Sequence, residues 1–288
     1  MSISTEATRS TWHAVWSGAL RRGRTRVGLA LVALILLIAV LGPLLAPHDP
    51  TAFVGPGLQP PLPGTPLGTD ALGRDVLSRV LWGGWSVVWM SLVAATLGTL
   101  VGATLGLIAA YAGGIAGTVI MRACEVLLAL PLIILALVVV SMIGSSPGLI
   151  VVLVAVGHVP QVARVAYGAG LEVCEREYVQ WARLIGMPAG RVLGTDVLPN
   201  VAGPILVDFG IRIVWSVGII ATLGVLGVGI QPPAADWGLM INDNRVGMGQ
   251  QPLAVLVPLL LIAAFAIGAN LVADGLGRSL ARVTEEAR

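Results

Sequence analysis

Lysine is missing from this chain: all seventeen of its basic residues are arginine. A P-loop sets a lysine on the phosphates it cradles, so the chain does not hydrolyse nucleotide by that route. Histidine and cysteine are almost as scarce. His13, His48 and His158 stand far apart, and Cys124 and Cys174 lack metal-ligand spacing, which reads as unpaired small residues. Neither a metal cluster nor the Ser/His or paired-Asp constellation of an intramembrane enzyme can be assembled from them. Charged residues make up 11% of the chain and the formal net charge is +2, which gives no reason to expect nucleic acid. Internal repeats, low-complexity tracts and a separate soluble domain are lacking too. No small-residue cleavage site follows the first apolar run, so that run is expected to remain as a helix rather than leave as a signal peptide.

What is abundant is apolar sequence. Hydrophobic residues reach 56% and mean hydropathy is +0.91, values foreign to a water-soluble domain of this length. The expected architecture is an all-α polytopic membrane protein with six transmembrane helices. The first covers 27–46, long enough for a hydrocarbon core of ~30 Å. Five more, near 84–110, 117–143, 148–168, 201–229 and 252–274, form a core over 84–274. Residues 1–26 are a polar tail, 47–83 an external segment, 171–199 a cytoplasmic loop, 230–251 an external loop and 275–288 a second inner tail. With this threading thirteen arginines fall inside, three (Arg74, Arg79, Arg245) outside, and Arg212 within a span. That asymmetry is the positive-inside pattern and predicts cytoplasmic termini.

Several local features carry chemistry. Asp70 is expected to cap a short amphipathic helix with Leu72, Val76, Leu77 and Val80 on its apolar face, and Asp75 to pair with Arg79 for about 0.3–0.5 kcal/mol. Gly98, Gly102 and Gly106 recur every fourth residue, which lets two helices approach closely in lipid. Arg122 and Glu125 are spaced to neutralise each other, and Pro131 should kink the third span. His158, beside Pro160, reads as hydrogen-bonded packing. Asp208 and Arg212 lie one turn apart deep in the fifth span, where an isolated arginine costs at least ~2.5 kcal/mol. They are either a self-neutralised pair facing the bundle or part of a translocation path. In 230–251, Pro232-Pro233 stiffens the chain and Trp237 suits a membrane interface, or with Gln231 a docking surface for an external protein.

The longest charged interval between apolar runs is LEVCEREYVQWARLIGMPAGRVLGTDVLP, 171–199. Its apolar positions (Leu171, Val179, Ala182, Ile185) have helical spacing, Met187-Pro188-Ala189-Gly190 interrupts it, and a second short helix leads to Pro199. Two short helices at an angle make a compact knob, with Ala182 and Gly186 on one face leaving room for another backbone. QWARLIG followed by DVLP resembles the EAA loop of bacterial ABC-importer membrane subunits, with Ala182, Gly186, Leu198 and Pro199 in register and Gln180, Trp181 and Asp196 departing from the pattern. PLGTDALGRDVLSRVLWGG, MRACEVLLALP and QPPAADWGLM are similar to three further segments of the dipeptide, oligopeptide and nickel permeases of the C type. The resemblance runs from Val27 to the C-terminal tail.

It implies a type I ABC-importer permease fold in a prokaryotic cytoplasmic membrane. It also implies a homologous B-type permease partner, two cytoplasmic ATP-binding subunits, an external solute-binding protein, and a peptide as substrate, with nickel or glutathione as alternatives. The chain would bind no cofactor, ATP and Mg being used by the ATPase subunits. Tyr178, Gln180, Trp181, Ala182, Arg183, Gly186, Arg191, Leu198 and Pro199 would couple to those subunits through the knob, a rigid lever. A secondary transporter would need unpaired intramembrane acids or broken-helix ion sites, and Asp208 has a partner.

Overall fold

The computed structural model describes residues 18–286, with side chains to residue 280. Residues 1–17 of the N-terminal tail, with Arg9, and residues 287–288 at the other end, with Arg288, lie outside the described residues. Among the described residues ten α-helices carry the fold: α1 (Gly23–Leu45), α2 (Val76–Ala112), α3 (Gly114–Ala129), α4 (Leu132–Ile143), α5 (Pro147–Cys174), α6 (Glu177–Leu184), α7 (Ala189–Val192), α8 (Leu198–Val225), α9 (Trp237–Asn244) and α10 (Leu253–Glu286). Among the described residues β-structure is limited to isolated bridges in the segment after α1, such as Phe53 with Arg74. Among the described residues five helices are long and apolar enough to cross a bilayer, and α3 with α4, bent by 77° at Pro131, brings the number to six where the bent pair counts as one span. Pro131 therefore breaks the third span rather than kinking it. Its ring cannot continue the helix, and Leu130 before it is pushed to extended angles (φ −89°, ψ 119°).

The second span starts earlier than its hydropathy suggests. Asp75, not Asp70, caps it, its carboxylate accepting from the Ser78 amide at 2.9 Å. The amphipathic helix expected around Val76 is thus the first turns of α2 itself, and Leu72 lies outside it, exposed. At 37 residues and ~1.5 Å each, α2 is about 55 Å long, well beyond a ~30 Å hydrocarbon core. It packs along α5 through the glycine stripe. A Cβ at Gly98 would sit 2.8 Å from the Ala155 carbonyl, and one at Gly102 2.6 Å from that of Val159. Backbone meets backbone there, so the stripe packs α2 and α5 closely into one block.

The loop before α8 also differs from expectation. α7 is not a separate second helix: it passes through one π-helical turn, Leu193–Val197, straight into α8. The Leu198 amide donates to Leu193, five residues back, and Pro199 follows with no amide to give. Widening the helix by one residue lets the chain pass a proline without breaking. The bundle thus has two distinct ends. The knob, the start of α8 and the C-terminal turns of α2, α5 and α10 share one. There Gly203 faces Leu280, and Gly18 faces Ser279. The start of α2, α9 and the 47–75 segment share the other.

Candidate functional site

The knob end is built outward. α6 has a narrow buried face, Val179 and Ala182, set against Val173, Cys174 and Val192. Its opposite side carries Trp181, Leu184 and Ile185, which are 66%, 78% and 69% exposed, with Tyr178 beside them. Residues spaced i, i+3 and i+4 lie on one helix face, so this is a continuous exposed apolar ridge. The indole that replaces the small residue of the resembling pattern points away from the chain. Gln180 donates to the Glu175 carbonyl at 3.1 Å, and Arg191, Leu198 and Pro199 are exposed on the neighbouring turns.

Ala182 and Gly186 do not share a face. Gly186 lies beyond the end of α6 at φ +76°, where its amide and that of Met187 close the helix on Arg183 and Ala182, both at 3.0 Å. A Cβ there would meet open space. What the position needs is the left-handed backbone that ends the helix, not room for a neighbour. Arg183 turns back from the ridge. It donates to the Tyr111 carbonyl at 2.9 Å and holds its guanidinium 4.0 Å above the Tyr111 ring. Nothing in the sequence joins these residues, which are 72 positions apart.

Midway along the bundle, Asp208 and Arg212 do pair, at 3.0 Å, but inside the chain between α5 and α8, where both are buried. Arg212 also donates to Gln161 on α5, and His158, one turn earlier, hydrogen-bonds Ser216 at 2.8 Å. His158 is therefore satisfied packing, as the sequence suggested. The pair does not line the cavity beside it. Gln161 and His158 do: with Trp215 and the broken α3–α4 segment around Pro131 they wall a space of about 350 Å³. Arg122 and Glu125 form their ion pair at 2.6 Å on the exposed side of α3.

At the far end two motifs more than 150 residues apart interlock. Asp70 takes Arg74 at 2.7 Å and Arg79 at 3.5 Å, all three buried. Arg79 thus pairs with Asp70 rather than with Asp75, whose carboxylate is occupied capping α2. Arg79 also reaches the carbonyls of Pro50 and Ala234, and Arg74 reaches Asp243. Trp237 is wholly buried, its indole N–H donating to the Val80 carbonyl at 2.9 Å. Gly83 and Gly84 make the space, since a Cβ on Gly84 would lie 2.8 Å from the Trp237 ring. Trp237 is therefore neither an interface anchor nor a docking residue: the apolar ring is worth more inside the bundle than at its rim.

Asp236 caps α9 through the Leu239 amide and accepts from Ser86 at 2.6 Å. Burial pushes its carboxyl above the ordinary range, against the opposing pull of those hydrogen bonds and of Arg79. Asn244 and Gln251, unremarked in the sequence, tie α9 and the start of α10 to Ala71, Gln59 and Leu67. Of this motif Gln231, Pro232, Pro233 and Ala234 stay exposed.

Residues 102–284 match the family described as binding-protein-dependent transport system inner membrane component, and residues 10–61 match the N-terminal TM domain of oligopeptide transport permease C. A glutathione transport system permease protein of Pectobacterium atrosepticum is 34% identical over 280 residues, covering 96% of this chain and 93% of the relative. A dipeptide transport system permease protein of Haemophilus influenzae is 33% identical over 261 residues, 88% of each chain. Among solved structures, an inward-facing MetNI methionine ABC transporter chain superposes with a TM-score of 0.56 at 19% identity, covering 70% of this chain and 96% of that one. The bundle of five to six membrane-length helical spans, its projecting knob and these likenesses agree: the chain belongs to the binding-protein-dependent transport system inner membrane components, the non-catalytic permeases of ABC importers in the bacterial inner membrane.

Proposed function

We propose that the chain imports short peptides as one of two homologous permeases that enclose a shared path. Two cytoplasmic ATP-binding subunits supply the energy and an external solute-binding protein delivers the cargo. The chain binds no cofactor of its own, ATP and Mg being consumed by the partners. Peptide cargo rests on relatives named for dipeptides and for glutathione, itself a short peptide, and neither name favours the nickel alternative.

The observation that carries the coupling role is the exposed ridge Trp181-Leu184-Ile185. Apolar surface held out on a short helix is what a groove on a partner takes up, and aromatic residues dominate such contacts. In this reading the knob and both termini face the cytoplasm. The interlocked motifs face outward, and Gln231, Pro232 and Pro233 form the rim that meets the solute-binding protein. Because α7 runs into α8 without a break, a push on the knob becomes a movement of α8. Asp208 and Arg212 act on the path at one remove, holding Gln161 at the wall of the cavity by Pro131.

The test is co-purification of the ATPase pair with Trp181→Asp, alongside uptake of labelled dipeptide and of glutathione by the reconstituted assembly. Loss of the ATPases with an intact permease supports the ridge, and undiminished co-purification rejects it. Uphill pumping by this chain alone in vesicles would refute the whole scheme.

A further inference from the structure

The contact between Arg183 and Tyr111 gives the knob a second attachment, distinct from its covalent ones. Along the chain, α6 is joined to α5 through the turn at Glu175-Arg176 and to α7 through the turn at Gly186-Met187-Pro188. Both joints are turns, and a helix held only by two turns can rock on its small buried face, Val179 and Ala182. Arg183 closes that freedom. Its guanidinium stacks 4.0 Å over the Tyr111 ring while one nitrogen donates at 2.9 Å to the Tyr111 carbonyl. That carbonyl belongs to the last turn of α2, where no further amide of the helix follows to donate to it. A planar guanidinium suits both contacts at once, which an ammonium cannot do.

The far side of the contact matters as much. Tyr111 ends the helix that is locked backbone-to-backbone to α5 by Gly98, Gly102 and Gly106. Directly after it come Gly113 and Gly114, at φ +60° and +48° with open space around each, and then α3, which leads to the break at Pro131 beside the cavity. A knob clamped to Tyr111 therefore moves with the α2–α5 block, and the compliant point lies beyond it, at the two glycines.

We propose that Arg183 is a positioning residue of energy coupling: through Tyr111 it fixes the knob rigidly to the α2–α5 block, so that displacement of the knob moves that block rather than flexing its own turns. This rests on the reading above that the knob receives the ATPases, and the two can fail separately.

The experiment reconstitutes the full importer with its ATPases and binding protein and measures three quantities: ATPase co-purification, ATP hydrolysis, and uptake per ATP hydrolysed. Arg183→Ala and Tyr111→Ala are each expected to keep the ATPases bound and hydrolysing while uptake per ATP falls by roughly fivefold, the low end of coupling between distant sites. Arg183→Lys, which keeps the charge but loses the stack, should fall between them and the parent, and Tyr111→Phe should match the parent. The double Ala variant should be no worse than Arg183→Ala, which already removes both the stack and the hydrogen bond to the backbone carbonyl that Tyr111→Ala keeps.

Unchanged uptake per ATP in both single variants overturns the clamp. So does loss of ATPase binding in Arg183→Ala with a fully normal Tyr111→Ala, which would make Arg183 part of the docking face instead. Tyr111 lies off the knob, so its variants test the clamp even where Arg183→Ala does not assemble. Failure of the Trp181→Asp arm rejects the docking surface without touching the uptake ratio, and so is told apart.

Discussion

The two ends of the bundle are equally rich in polar motif residues and use them in opposite ways. At the end where α2 begins, Asp70, Arg74, Arg79, Asp236, Asn244 and Gln251 are buried, and each has a partner within the chain. At the knob, Gln180, Trp181, Leu184, Ile185 and Arg191 are exposed. Both regions read in sequence as strong motifs. The difference teaches that a motif marks residues whose identity is constrained without saying what constrains them. One set is held by the fold; the other is free for something outside it.

The tryptophans make the contrast measurable. The largest effect is expected from Asp70→Ala, which strands two buried arginines and should cost about 3–5 kcal/mol, enough to lose folded permease from detergent extracts. A melting profile close to the parent's would mean the cluster is not sealed. Trp237→Ala should cost a similar ~3–5 kcal/mol for the ring and the cavity left behind. Trp181→Ala should shift stability by no more than about 0.5 kcal/mol while weakening ATPase capture at least tenfold. If both tryptophans behaved alike in a melt, the division of the molecule into a sealed and an open end would fall.

Gly102→Leu tests the block that joins the two ends. Its side chain would be driven into the Val159 carbonyl and the Val162 Cβ, and the strain should cost about 1–3 kcal/mol. Gly190→Ala, on the knob with open space around it, is the control and should change stability by less than about 0.5 kcal/mol.

The smallest effect concerns pH. Burial holds the Asp236 carboxyl above the ordinary carboxylate range, so the folded chain keeps that proton where the unfolded chain releases it. Its contribution is therefore complete below the unfolded pKa and fades as the pH rises through the folded one. Melting followed upward from the acidic carboxylate range to neutrality should show this decline, and Asp236→Asn should flatten it. An unaltered slope in that variant would assign the pH dependence elsewhere.

Much of this was legible without coordinates. Apolar run lengths, with the arginines clustered between them, were enough for six crossings. The 171–199 interval stood out because charged residues cannot enter lipid unpaired. Less legible was where each helix ends. The apolar pattern of α2 weakens before Ser86, yet the helix continues to Val76 because protein, not lipid, surrounds those turns. The choice of cap is hidden for a similar reason: Asp70 and Asp75 both precede apolar helical spacing, and only the arginines' positions decide which carboxylate is left to cap.

The sequence by itself determined the class of molecule, the crossings, the nucleotide chemistry it does not perform and the residues that form its knob. All of these follow from local composition and period, which act over one helix at a time. Tertiary structure alone decided that Trp237 is core and Trp181 surface, that Arg79 belongs to Asp70, that Gln161 stands beside Arg212, and that Arg183 grips Tyr111. Each of those pairings joins different elements or chooses among equivalent neighbours, and that choice is made when the helices pack, by volume left open and by which polar atoms still lack a partner.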